Sequence, residues 1–163
     1  MRVNRKIACS AFPCNDVKHE CYIVPNVEVN PDDVSVVLIA EAAPPDPGDY
    51  YYAKGNPLFQ QTTVQAFQDA GAAVSSVRDI LELGVYLTTA VKCGKTGYGI
   101  ATNTIKECSS LLEKELAVFP NVQALLLMGD VAIKAVNYIA QQAGEGRVLP
   151  ASSTYKIRGQ KYF

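Results

Sequence analysis

The stretch Val34-Ser35-Val36-Val37-Leu38-Ile39-Ala40-Glu41-Ala42-Ala43-Pro44-Pro45 decides the fold. Its first seven residues are β-branched or apolar apart from one serine, with no polar alternation. That is the pattern of a strand buried on both faces, as in a parallel sheet. The prolines and Gly48 that follow stop it, and Glu41 stands where the strand is predicted to leave the sheet. Two further runs, Val85–Val91 and Val122–Met128, read the same way. Helical patterns lie between and after them. One runs from Thr62 or Thr63 to about Ala70, with Gly71 behind it, and a second covers Val77–Leu83, stopped by Gly84. The third is Thr104–Val118 behind Asn103 as N-cap, with Ile105, Cys108, Leu111, Leu112, Leu116 and Phe119 at helical spacing. The fourth, Val131–Ala143, ends at Gly144. The tail, Arg147–Leu149 and Thr154–Phe163, reads as short strands around a turn at Gly159. Strands separated by helices predict an α/β class: a three-layer α/β/α sandwich around a central, mainly parallel four-stranded sheet. Ligands bind such sheets at the carboxyl ends of the strands. Chemistry is therefore expected in the segments that begin at Glu41 and at Cys93.

The chain has 163 residues, 48% of them apolar and 19% charged, which is the size and composition of one globular domain, 1–163. Its apolar runs are far shorter than the ~20 residues of a membrane span. The basic start (Arg2, Arg5, Lys6) has no apolar segment before Cys9, so no signal peptide is read and the cytoplasm is the expected location. A net charge of −1 is unlike most nucleic-acid-binding domains. Phosphate affinity nevertheless depends on a few local cations, for which Lys92, Lys95, Lys156, Arg158 and Lys161 are the candidates. The alternative for all five is an ordinary solvated surface. Five cysteines fall in two groups, Cys9, Cys14 and Cys21, then Cys93 and Cys108, and grouping of that kind points to metal ligation more than to a disulfide framework.

Glu41 at a strand's carboxyl end, between apolar neighbours, is either a partly desolvated functional carboxylate or a solvated loop acid. Ala40-Glu41-Ala42-Ala43-Pro44 resembles the Gly-Glu-Ala-Pro-Gly first motif of the iron–sulfur uracil-DNA glycosylases. Gly55-Asn56-Pro57-Leu58-Phe59 resembles the Gly-x-Pro-Phe segment that follows it there, and Leu87-Thr88-Thr89-Ala90-Val91-Lys92-Cys93 is similar to that family's Thr-Asn-Val-Val-Lys-Cys strand. Ile105-Lys106-Glu107-Cys108 stands where the family has Glu-Ile-x-x-Cys. Leu125–Gly129 resembles the next strand and its glycine, and Thr154–Gly159 resembles the Thr-x-x-Arg-Gly approach to the last strand. The six motifs fall in register, and the resemblance covers nearly the whole chain, from about Cys9 to Phe163.

The resemblance implies a DNA repair glycosylase that hydrolyses the N-glycosidic bond of uracil or a related deaminated base in single- or double-stranded DNA. It assigns Glu41 as the catalytic carboxylate. Base binding would fall to the backbone N–H groups of Ala42 and Ala43, to Phe59 as a stacking ring and to Thr89 as the position that reads the base. Phe59 as a plain core residue is the alternative. The family carries Asn where this chain has Thr89, and a hydroxyl offers a single donor and a shorter reach than an amide. The first motif also lacks both glycines. The family's His-Pro-Ser/Ala motif would follow Phe163, so the chain is read as stopping one strand short; the one histidine, His19, does not replace it. Family ligation of a [4Fe–4S] cluster by two N-terminal and two mid-chain thiolates maps onto Cys9, Cys14, Cys93 and Cys108, with Cys21 as substitute. Zinc, or a plain buried thiol at Cys108, stays open. A monomer is the default. The alternative functions are a non-catalytic or altered-specificity DNA-binding relative with the same fold, and a small metal-cluster protein of similar topology.

Overall fold

The computed structural model describes residues 1–149, 157–158 and 161–163. The six strands are β1 (Val17–Lys18), β2 (Val36–Ala43), β3 (Val85–Lys95), β4 (Ala124–Leu127), β5 (Ile157–Arg158) and β6 (Lys161–Tyr162). They form one sheet in the order β1-β3-β2-β4-β6-β5. The four central strands, β3-β2-β4-β6, are mutually parallel, and the two-residue β1 and β5 close the edges in antiparallel fashion. The expected four-stranded parallel centre is therefore present, and of the short strands expected in the tail β5 and β6 are found within Thr154–Phe163, while Arg147–Leu149 forms none; β1 is an edge strand that a two-residue pattern cannot announce. Of the tail, Thr154–Lys156 and the turn at Gly159 lie outside the described residues.

The strands alternate their side chains between two apolar layers. Val37 and Ile39 of β2 and Tyr86 of β3 face helices α3 (Thr102–Leu116) and α4 (Asp130–Gln142), where Ile105, Leu112, Val131 and Ala135 meet them. Leu38 and Leu87 face α1 (Leu58–Asp69) and α2 (Val77–Glu82), against Val64, Val77 and Ile80. Helices on both faces explain why β2 and β3 read as unbroken apolar runs rather than alternating ones. α2 starts with a reciprocal cap: Asp79 N–H donates to Ser76 Oγ at 3.2 Å, and Ser76 N–H donates to Asp79 Oδ2 at 3.0 Å.

Several boundaries differ from the sequence reading, β3 for instance running on to Lys95, and three of them bear on the site. β2 runs on to Ala43 because β3 continues beside it, so Glu41 is a strand residue and not a loop acid. α1 begins at Leu58 because Pro57 fixes the turn just before it, which puts Phe59 in the first helical turn. α3 begins at Thr102, two residues before the predicted Thr104. The loop after β2 is itself core: Tyr50 and Tyr51 are buried under α1 and α2. Burial pushes the Tyr51 hydroxyl up to about 12.

Candidate active site and cysteine cluster

From β2 the chain passes to β3 on one side and then crosses to β4 on the other, so β2 is the switch point of the sheet, where crevices open at the carboxyl ends. The β2–β4 pairing ends at Ile39 and Leu127, and Met128 N–H donates to the Ile39 carbonyl at 2.9 Å. Beyond it β2 and β3 continue without β4 and leave a notch. Glu41 stands in that notch. Its side chain is about one-third exposed, and Oε2 accepts from Lys95 Nζ at 3.2 Å. On the other side Gly129, at φ 103°, caps α4, and a Cβ there would come within 2.8 Å of Glu41 Oε1. Gly129 is thus demanded twice, by its backbone conformation and by the carboxylate packed on it. The positive end of the α4 dipole faces the same carboxylate. In the sequence Gly129 is only the glycine that follows a strand; its role depends on a contact 88 residues away in the chain, which no local pattern carries.

Ala42 and Ala43 are buried, and their pairing to β3 slips in register, Ala42 opposite Val91 but Ala43 opposite Gly94. This backbone is irregularly paired on one side and lies past the end of β4 on the other, next to Glu41. Ala40 and Thr89 are register partners on the face toward α1. There Ala40, Leu38, Tyr51, Phe59 and Met128 line an apolar cavity of about 300 Å³, at the small end of ligand-sized pockets. The Phe59 ring meets Tyr51 edge-on, centroids 5.2 Å apart. Thr89 is fully buried, and its hydroxyl has no hydrogen-bond partner among the described residues. Glu41, Ala42, Ala43, Phe59 and Thr89 therefore gather at one end of the sheet. Glu41 lies on the α4 side of the strand end, while Phe59 and Thr89 lie on the α1 side.

The cysteines gather on the opposite flank of β3. All five are free thiols, and Cys9, Cys14, Cys93 and Cys108 share one apolar cluster. Burial, and after it the neighbouring thiols Cys108, Cys9, Cys14 and Cys21, push the Cys93 thiol up to about 12. Cys9 Sγ accepts the Phe12 N–H at 3.4 Å, and Phe12 takes a left-handed φ of 43° to present it. Cys108 is raised by burial and lowered by the backbone N–H of Lys92. Cys21 differs: its Sγ donates to the Pro45 carbonyl at 3.3 Å, and its Cβ fills the place where a Cβ on Gly94 would be. Among the described residues, no three His, Cys, Asp or Glu side chains close round a single point tightly enough to hold one metal ion.

The cation candidates need correction. Lys92 is not a surface group: it is fully buried and ion-paired with Glu115 of α3, and it donates to Thr88 Oγ1 at 2.9 Å and the Thr89 carbonyl at 2.6 Å. It cannot meet a phosphate. Lys95 is committed to Glu41, Lys156 lies outside the described residues, and Arg158 and Lys161 belong to β5 and β6. Among the described residues no helix is long and apolar enough to cross a membrane.

A comparison with known protein families matches residues 27–161 to the description "Uracil DNA glycosylase superfamily". No curated protein matches the chain. The matched span includes Glu41, Phe59, Thr89, Cys93 and Cys108, and begins after Cys9, Cys14 and Cys21.

Proposed function

The chain belongs to the uracil DNA glycosylase superfamily, and we propose that it hydrolyses the N-glycosidic bond of uracil or a related deaminated base in DNA. The observation that carries this is the Glu41 carboxylate at the switch-point notch, backed by Gly129 and tied to Lys95. To reach the bond, the nucleotide must leave the base stack. When the bond breaks its electron pair leaves with the base and the sugar becomes cation-like. A fixed carboxylate stabilises that cation and accepts the proton of the water whose oxygen bonds to the sugar carbon, while the departing base is protonated in turn. On this reading the cavity of Phe59, Tyr51 and Ala40 receives the base. Thr89 offers it one hydroxyl, which discriminates less sharply among pyrimidine and purine edges than an amide would.

The test is an excision assay on single- and double-stranded oligonucleotides carrying uracil, hypoxanthine or xanthine. Alkali-labile strand breaks at the modified position are expected, with uracil less strongly preferred than an Asn-bearing site would make it. Intact strands in every case, with DNA binding retained, would instead favour a non-catalytic DNA-binding relative, the reading that Thr89 in place of an amide suggests.

For the thiols we infer a [4Fe–4S] cluster held by Cys9, Cys14, Cys93 and Cys108. Two features support the fit: their mutual electrostatic influence at Cys93, and backbone N–H groups directed at the Cys9 and Cys108 sulfurs, as thiolates favour. Cys21, its proton engaged by Pro45, is a poorer ligand. Such a cluster would join the N-terminal segment to β3 and α3 and supply no step of the hydrolysis. After anaerobic purification about four irons and a brown colour per chain are expected, both lost in Cys93→Ser. One zinc and no colour would replace the cluster with the zinc alternative.

A further inference from the structure

We propose that Tyr98 stacks on a nucleobase of the DNA strand beside the nucleotide presented to Glu41. This rests on the glycosylase reading and extends it to a residue outside the site described above. A single exposed aromatic ring is ordinary in itself, but the setting of Tyr98 is not.

Its ring is fully exposed, at the tip of the loop that follows β3. Gly97 and Gly99 flank it, and a Cβ on either would meet nothing within 4 Å, so the tip stands clear of the protein. Both ends of the loop are nevertheless fastened to Asp16. Thr96 Oγ1 donates to its carbonyl at 2.8 Å, Ala101 N–H donates to Oδ2 at 2.6 Å, and the Thr104 hydroxyl donates to Oδ1. A fixed base under a pivoting aromatic tip can adapt to a base plane at little ordering cost, since few rotamers are lost.

The position fits a strand lying across the notch. Tyr98 is three residues beyond Lys95, the partner of Glu41, so their Cα atoms are at most about 11 Å apart. The loop that carries the ring therefore starts at the carboxylate's own ion-pair partner, at the carboxyl end of β3. Leu58 at the start of α1 and Met128 after β4 are each more than half exposed on the same carboxyl rim, and Met128 also lines the base-sized cavity. Water-facing apolar groups thus stand on the carboxyl rim on three separate segments. Aromatic rings serve strands in this way because every base has a π face, so the contact tolerates sequence.

The test uses the full chain and a fluorescein-labelled single-stranded oligonucleotide containing a tetrahydrofuran abasic analogue, followed by anisotropy. In a second probe 2-aminopurine stands next to the analogue. Tyr98→Ala is expected to bind roughly tenfold more weakly and to abolish the quenching of 2-aminopurine, whereas Tyr98→Phe retains both. Because the ring touches nothing, all three proteins should melt together. If Tyr98→Ala binds and quenches like the unsubstituted chain, or if Tyr98→Phe fails alongside it, the stacking role is overturned while excision by the unsubstituted chain leaves the glycosylase reading intact. A chain that neither excises nor binds would overturn both.

Discussion

Glu41→Gln is expected to slow base excision roughly 10²- to 10⁴-fold, the range associated with loss of a positioned acid–base group. The variant keeps the shape of the side chain and its contact with Gly129, so the notch should persist. It removes the negative charge that stabilises the sugar cation and the site that takes a proton from water. The cost to folding should be small. The Glu41–Lys95 pair is about one-third open to solvent on the one side and 27% on the other, and screened pairs of that kind contribute under about 1 kcal/mol. For a domain of this size that is a melting shift of about 2–4 °C at most. Single-turnover excision with excess protein reads the chemical step, and a thermal melt reads the fold. A variant that melts normally and still excises at the parental rate would remove Glu41 from the mechanism. Lys95 and Gly129 would then have to be seen as packing an ordinary strand-end acid.

Why Glu41 could be found in the sequence, while its surroundings could not, follows from the range of each signal. A buried parallel strand writes itself into consecutive residues, so Val34–Ala40 and Val85–Val91 announce β2 and β3, and the acid after the first run marks a strand's carboxyl end. The helical spacing of Ile105, Cys108, Leu111 and Leu112 likewise states which face of α3 is core. The contacts that turn a strand-end acid into a site are long-range. Lys95 is 54 residues from Glu41, and Gly129 acts through a backbone conformation that its neighbours do not encode. The strand end itself was misplaced by three residues because Glu41-Ala42-Ala43 is held in the sheet by β3 rather than by its own propensity. No periodicity organises the three tyrosines after Gly48, yet Tyr50 and Tyr51 close the α1–α2 layer. Among the thiols, grouping along the chain sufficed to suggest a common location. The difference between Cys14 and Cys21, by contrast, depends on which sulfur finds the Pro45 carbonyl.

Lys92 was the largest misreading, and it supports the largest expected effect on stability. A lysine three residues after a threonine pair, near the end of a strand, has the profile of a phosphate-binding cation. Its partner is Glu115, 23 residues on, in the last turn of α3. Both are fully buried, and the Glu115 carboxylate also accepts from Tyr86 Oη at 2.8 Å and Thr88 Oγ1 at 2.9 Å. Burial, and then the Glu115 charge, raise the Tyr86 hydroxyl well above its usual range. Lys92→Met removes the cation and leaves the carboxylate uncompensated in an apolar layer, a loss of about 3–5 kcal/mol. Against a total stability of about 5–15 kcal/mol, this should lower the melting temperature by roughly 6–20 °C. The destabilisation would come from the stranded charge more than from the lost bond. Lys92→Met combined with Glu115→Gln should therefore recover much of the loss, because the amide oxygen can still accept from Tyr86 and Thr88. A single Lys92→Met protein that melts within about 2 °C of the parent would mean that no buried charge was left behind. The β3–α3 ion pair would then be absent in solution, and the strand that carries Thr89 and Cys93 would need some other anchor to α3.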